Sequence, residues 1–501
     1  MEVNEGDIHI SLTGKRKESN NSRRWRYTKQ ALIVANASQW FLQMAMFSAW
    51  NNPASYDFIK IGTNFYGNKL EFSDTQLDML TSLDSFGSIL GSAYAWPVSW
   101  WGRRFTMMIM VVPHIIAWCL LGFSPSPTGI LVGKMLSGVL MGASGLCVNT
   151  YMVEIPDVSI RGTIAMLTQL ELAFGYLLTV SLGLVLRYYH FAYVGIGLSV
   201  VACALNYFIP ESPTFLVTKN REEEARLLLK RLRSPDDDIE LELEMIRNEN
   251  KGMEENSFIS VLRRPDIRKT MLIILGLFIT QQFSGIYIFY INTTRIFIDA
   301  KTNMNPNLAV VFTFIAQFAG TVVGSITIEK WGRRNSIVIS VFIVSIFLYM
   351  MGTYSYLNPN IGTSAIEAAK MSAETTVGNA TLNGLLTTSI GSSGPSDGFT
   401  SKWQWVPLMC LMGIVFSASL GVESVPWILS AEYFPTSIRA KAQSIVMVFS
   451  GFLSMFVFGL YSPMKNALTI PGLYFFYATS CVAGFLFSLI FVRETAGQDI
   501  G

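Results

Sequence analysis

The side chains with chemistry to offer are few, and most sit in apolar surroundings. Gln281 and Gln282 adjoin in an otherwise apolar stretch. Ser284 follows three residues after Gln281, on the same helix face. An amide pair in such a stretch is costly unless protein or cargo satisfies it. Glue between helices is the plainer alternative. Three acids occupy similar ground: Asp84, Glu171 and Glu423. Glu423 lies four residues before Trp427, about one helical turn away on one face. If it lines a cavity, it could carry a proton or meet a cationic group. Otherwise it forms a structural pair with a buried base, Lys134 and Arg295 being the candidates. Only three histidines exist, His9, His114 and His190, and no nucleophile stands beside a base. An enzyme is therefore not expected. The five cysteines have no metal-like spacing and read as packing residues, so no metal or other cofactor is implied.

A second set of charged residues occurs twice, in the same order. Trp101-Gly102-Arg103-Arg104 returns as Trp331-Gly332-Arg333-Arg334. Glu154 and Arg161 are seven residues apart, as are Glu432 and Arg439. Glu211 closes the first set and Glu494 the second. Arg161 to Glu211 spans 50 residues, and Arg439 to Glu494 spans 55. A duplicated six-helix unit accounts for this. The glycine permits a tight turn, and the arginine fork grips carboxylates. Such clusters tie helix ends together. Pairs that cross between the halves would close one side and break when it opens, as alternating access requires. Simple charge bias with helix-end capping is the alternative.

These residues need membrane-spanning helices to hold them. Of 501 residues, 51% are hydrophobic and 14% charged, against roughly 25% charged in an ordinary soluble protein. The net charge of +2 says nothing about partners. Long apolar runs of about 20 residues mark an integral membrane protein. Spans one to six are expected at 31–50, 76–98, 105–123, 128–152, 163–186 and 192–209. Spans seven to twelve are expected at 269–291, 306–328, 335–356, 404–430, 443–461 and 471–492. The fold class is thus all-α: twelve transmembrane helices in two six-helix repeats, 31–209 and 269–492. A cytoplasmic helical linker over 210–268 joins them. Its Glu222-Glu223-Glu224 run followed by Arg226 and Lys230-Arg231 suits i, i+4 pairing. The short basic loops place both termini, 1–30 and 493–501, in the cytosol. The polar, basic start has no signal-peptide core. The stretch 357–403 falls outside, where Asn379-Ala380-Thr381 is a glycosylation sequon.

With these motifs in hand, the chain resembles the sugar porter branch of the major facilitator superfamily, most closely its facilitated trehalose transporter group. The resemblance runs from about residue 31 to 497. It rests on both GRR motifs, YMVEIPDVSIRG (151–162), TQL (168–170), PESPTFL (210–216), QQFSGI (281–286), PW (426–427), AEYFPTSIRA (431–440) and RETAG (493–497). It implies a central cavity between the halves, with a sugar held by amides and an aromatic platform. Gln169, Gln281, Gln282 and Trp427 stand at the matching positions. Pro426 should break span ten and free backbone groups near that cavity. Several positions depart from the family pattern. Tyr287 replaces the last residue of QQ-x-SGIN, and Gln317 replaces an asparagine in span eight. Glu423 and Ser424 replace Gly-Pro. Ser450-Gly451 stands for Asn-Trp, Ser454 for a nearby asparagine and Thr214 for the arginine of PESPR. Ser99 replaces the acid of the first GRR loop, which should weaken the inner gate of the first half, while Glu329 keeps it in the second.

The expected activity is facilitated uniport of a hexose or trehalose across the plasma membrane. Span one lacks the acid that often marks proton coupling in this family. A proton-coupled or cationic-solute transporter using Glu423 is the alternative, and a non-transporting sugar sensor a third. The expected partners are a small neutral solute and the lipid bilayer. No nucleic-acid binding is expected, and the oligomeric state is left open.

Overall fold

The computed structural model describes residues 20–157, 160–234, 237–255, 265–300, 304–358, 403–434 and 436–494. Asn379 and most of the stretch 357–403 lie outside them. The described chain forms twelve helical rods, numbered below by the span each was expected to make.

Spans one to six comprise Asn20–Ala49, Asp74–Gly91 continued by Ala95–Trp101, Arg103–Phe123, Pro127–Glu154, Arg161–Leu182 and Phe191–Phe208. Spans seven to nine are Pro265–Phe283 continued by Ile286–Asp299, Pro306–Trp331 and Arg333–Leu357. Span ten is Val406–Ser419 with Val425–Glu432, span eleven Thr436–Gly459 and span twelve Tyr461–Phe491. Among the described residues, eight helices are long and apolar enough to cross a membrane, and spans five and ten supply shorter apolar helices. Spans one and two fall short because they carry Gln39, Gln43, Asp78 and Asp84.

Local signals set the helix ends. Ser73 and Gln76 form a reciprocal capping box at the start of span two. Ser126 caps span four, with Pro127 at its first position. Span one breaks at Trp50 and resumes as the short helix Asn51–Lys60.

Lipid tails are as apolar as leucine, so close contact rather than burial from water holds such helices together. A glycine seam provides it in each half. A Cβ at Gly87 would lie 2.2 Å from the Met135 carbonyl, and one at Gly138 only 2.1 Å from that of Asp84. Gly320 and Gly324 of span eight meet Phe416 and Ser419 of span ten in the same way, at 2.6 and 2.4 Å. Spans two and four, and spans eight and ten, therefore touch backbone to backbone.

The linker comprises Pro213–Thr218, Glu222–Leu232 and Ile239–Glu255 around Leu216, Ala225, Leu229 and Leu243. Its charges pair differently from expectation. Glu223 and Glu224 pair at i, i+3 with Arg226 and Arg221. Glu222 and Glu240 instead reach across helices to Arg247 and Arg226, each at 2.7 Å. Packing the two helices side by side puts these forks closer than the next turn. The linker is fastened to the first six rods. Arg233 binds the Ile155 carbonyl at 2.9 Å, and Gln30 of span one binds Leu232. The end carrying the linker is called the linker face below, and the opposite end the far face.

Candidate functional site

The centre of the site is the break in span ten. Its helix stops at Ser419 and restarts at Val425, one residue before Pro426. Backbone groups freed there need partners. Ser340 of span nine gives one, donating to the Ser417 carbonyl at 2.6 Å and accepting from the Val422 amide at 3.0 Å. The Gln281 amide gives the other, donating to the Val422 and Glu423 carbonyls at 2.9 and 2.8 Å. Gln281 is thus half structural, with its donors committed to the break. Its Oε1 is buried and has no hydrogen-bond partner.

Glu423 projects from the break, half-buried. Its Oε2 accepts from the Tyr290 hydroxyl at 2.9 Å and the Ser419 hydroxyl at 2.7 Å, and the Gln317 amide is a third partner. The Gln317 Oε1, like that of Gln281, is left over. Neither expected base reaches Glu423. Lys134 is 2.8 Å from Asp84, and Arg295 is 2.7 Å from Asp78. Span two presents each of them a nearer carboxylate.

Aromatic rings surround this centre. Tyr176 of span five lies parallel to Phe314 at 5.8 Å and is 6.1 Å from Tyr290, so the first half reaches the Glu423 cluster through it. Gln169 is half-buried seven residues before Tyr176, two turns along the same stripe. The Trp427 indole meets Phe278 edge-on at 4.7 Å, is hydrogen-bonded to Tyr287 and remains 38% exposed. Gln282 donates to Ser450 at 3.3 Å, the serine standing where the family pattern has asparagine. Tyr290, Ser419 and Tyr176 were not singled out from sequence. Ser419 carried a signal, four residues before Glu423; the other two depend on which rods adjoin.

The doubled motif builds two similar clusters at the linker face. Arg103 forks onto Glu154 at 2.7 and 3.0 Å, while Glu211 accepts from the Arg103 amide at 2.9 Å. In the second half Arg333 contacts Glu432 at 3.0 Å and Glu494 accepts from the Arg333 amide at 2.8 Å. Gly102 and Gly332 have φ of 94° and 90°, and a Cβ on either would strike the Glu211 or Glu494 carboxylate. Among the described residues, the Arg104 and Arg334 side chains take no carboxylate; they cap span six at Tyr207 and span twelve at Leu489. Among the described residues, these pairs stay within their own half. The side chain of Ser99 lies outside the described part; Arg103, Glu154 and Glu211 form the first cluster, and Ser212 adds a hydroxyl to Glu154. Glu329 lies exposed and joins no ion pair among the described residues. The Arg333 guanidinium is turned to Glu432 instead. The side chains of Arg161 and Arg439 lie outside the described part.

Ties between the halves occur at the far face. Asn52 donates to the Tyr290 carbonyl at 2.9 Å and accepts from the Thr294 amide at 3.2 Å. These groups flank Asn292, where the helix is non-helical at φ −107°. Asp78 and Arg295 add a cross-half ion pair.

The family model described as "Sugar (and other) transporter" matches residues 31–500. The chain belongs to this family. It is 26% identical over 476 residues to "Facilitated trehalose transporter Tret1" of Drosophila willistoni, covering 94% of this chain and 50% of that one. The protein of the same name from Polypedilum vanderplanki is 28% identical over 83% of this chain and 75% of its own. That from Culex quinquefasciatus is 25% identical over 99% and 88%. The chain thus spans about half the length of some curated relatives it matches. Its fold is similar to the xylose transporter XylE from E. coli in a partially occluded inward-open conformation. The TM-score is 0.70 at 18% identity, covering 95% of this chain and all of that one. Family and fold are those of a multi-pass membrane transporter rather than an enzyme.

Proposed function

We propose that this protein carries a small, neutral, hydroxyl-rich solute, a hexose or trehalose, down its gradient by alternating access. The linker face is cytosolic in the plasma membrane. One observation carries the reading: two buried amide oxygens, on Gln281 and Gln317, are left without partners beside Glu423 and a half-open Trp427. A sugar supplies hydroxyl donors for such acceptors and an apolar face for the indole. The relatives named as facilitated trehalose transporters support the same class of cargo.

In this reading Gln169, Gln281, Gln282, Tyr287, Gln317, Glu423 and Trp427 face the cargo. The cross-half ties of Asn52 and Asp78 support a state shut at the far face. Arg103, Arg104, Glu154, Glu211, Arg333, Arg334, Glu432 and Glu494 brace the linker-face ends within each half. A second reading assigns Glu423 to a proton or a cationic cargo. Against it, three uncharged partners already hold that carboxylate.

Uptake of labelled glucose, trehalose and a cation panel into proteoliposomes at about pH 5.5 and about pH 7.5 tests both. Sugar flux at similar rates at both pH values is expected. No sugar flux would end the first reading, and a proton-driven rate lost in Glu423→Gln would favour the second.

A further inference from the structure

A pocket lies under the far face of the second six rods, apart from the Glu423 site. Asp299 of span seven, Tyr354 and Ser355 of span nine, and Tyr461, Tyr474 and Tyr477 of span twelve line it. Ser355 is 2% exposed and Tyr477 1%, yet neither hydroxyl has a hydrogen-bond partner. A buried hydroxyl left unpaired costs roughly 1–3 kcal/mol, so two facing one pocket call for a ligand that donates and accepts.

The pocket has a cover. Residues 461–468 form just over two helical turns before Thr469, where the chain bends at φ 64° and ψ 169°. A β-branched residue is strained there, and such strain gathers at moving or binding segments. Lys465 ties this segment to Asp299 of span seven at 2.6 Å. The ion pair cancels the local charge, as Asp78 and Arg295 do nearby. With the cover down, the pocket has about 20 Å³ of free volume, room for a single water, so anything larger requires Lys465 to let go.

We propose that this pocket is a second, covered binding site for a small neutral polyhydroxylated ligand, entered from the far face. The tyrosine rings offer apolar faces, and the Ser355 and Tyr477 hydroxyls offer polar contacts. A charged ligand would find no unpaired partner in the Asp299–Lys465 couple. Phe289 also lines the pocket and stacks on Tyr474 at 6.1 Å. It precedes Tyr290, whose carbonyl receives Asn52, so an occupant presses on the helix that ties the halves together.

Equilibrium binding of labelled glucose and glycerol to the purified full chain in nanodiscs tests the site. Two components are expected for glucose in the unmodified protein. Ser355→Ala with Tyr477→Phe should weaken one by about tenfold and leave the other. Trp427→Ala should weaken only the other, and its failure to do so would count against the proposed cargo site alone. Lys465→Ala, which alters no lining hydroxyl, should speed association severalfold. A single glucose component, two components both untouched by the double variant, or displacement of glucose by bilayer lipid rather than by glycerol would each overturn the proposal.

Discussion

Two of the acids within the rods, Asp84 and Glu423, are treated in opposite ways. Asp84, in the first half, is sealed. Its oxygens accept from Lys134 and Ser137, both at 2.8 Å, and Lys134 also donates to the Phe47 carbonyl at 3.0 Å. The side chains of Lys134 and Asp84 are 0% and 5% exposed. Glu423, in the second half, is held by uncharged groups and stands half-buried beside the unpaired amide oxygens of Gln281 and Gln317. The first arrangement satisfies itself, which is what a structural pair does. The second leaves acceptors unfilled at a helix break, as the proposed cargo site requires.

The largest effect should come from unsealing the first acid. Removing one member of a buried ion pair leaves a charge with no partner, at a cost of roughly 3–5 kcal/mol. Lys134→Met should therefore lower the thermal midpoint sharply, and adding Asp84→Asn should recover much of the loss. A midpoint unmoved by Lys134→Met would erase the distinction between the two acids.

Next is the open acid. Glu423→Gln keeps the shape and should leave the midpoint nearly unchanged. Sugar uptake should fall by about tenfold, the scale of one charged hydrogen bond. Loss of folding without a specific loss of uptake would make Glu423 structural as well. Tyr290→Phe removes one neutral donor to that carboxylate and should cost about 1 kcal/mol, read as a few-fold change in uptake.

The smallest effect is expected outside the membrane. Arg226 beside Glu240, and Arg221 beside Glu224, hold those exposed carboxyls below their ordinary range, chiefly through side-chain hydrogen bonds. Stability from a depressed carboxyl is present above its unfolded pKa and is lost only as pH falls through the lower folded value. Hydrogen-exchange protection in linker peptides, taken relative to the intrinsic exchange rate at each pH, should therefore be the same at about pH 8 and about pH 6. Linker loosening across that window would mean that an unrecognised titrating group governs it.

The repeat explains why so much of the frame is legible in sequence. Gly102 and Gly332 take the same positive φ over the same kind of carboxylate, so the motif and its spacing describe a real three-dimensional unit. The break in span ten is legible too, because Pro426 cannot continue the hydrogen-bond ladder. Partner choice is less so. Asp84 and Lys134 are 50 residues apart, and only the packing of spans two and four joins them. Asn52 reaches Tyr290 across 238 residues. Glu329 was expected to join the second cluster, but the helix turns it outward.

The glycine seams carry a mechanical consequence. Where two backbones touch, there is no layer of side chains to shear, so spans two and four tilt as one plate, and spans eight and ten as another. Bending then falls on the breaks in the rods: the five residues Leu420–Ser424 in span ten, and Gly285 with its φ of 74° in span seven. Glu423 rides on the first of these flexures and Tyr290 lies one turn beyond the second. The hydrogen bond between them bridges these two breaks.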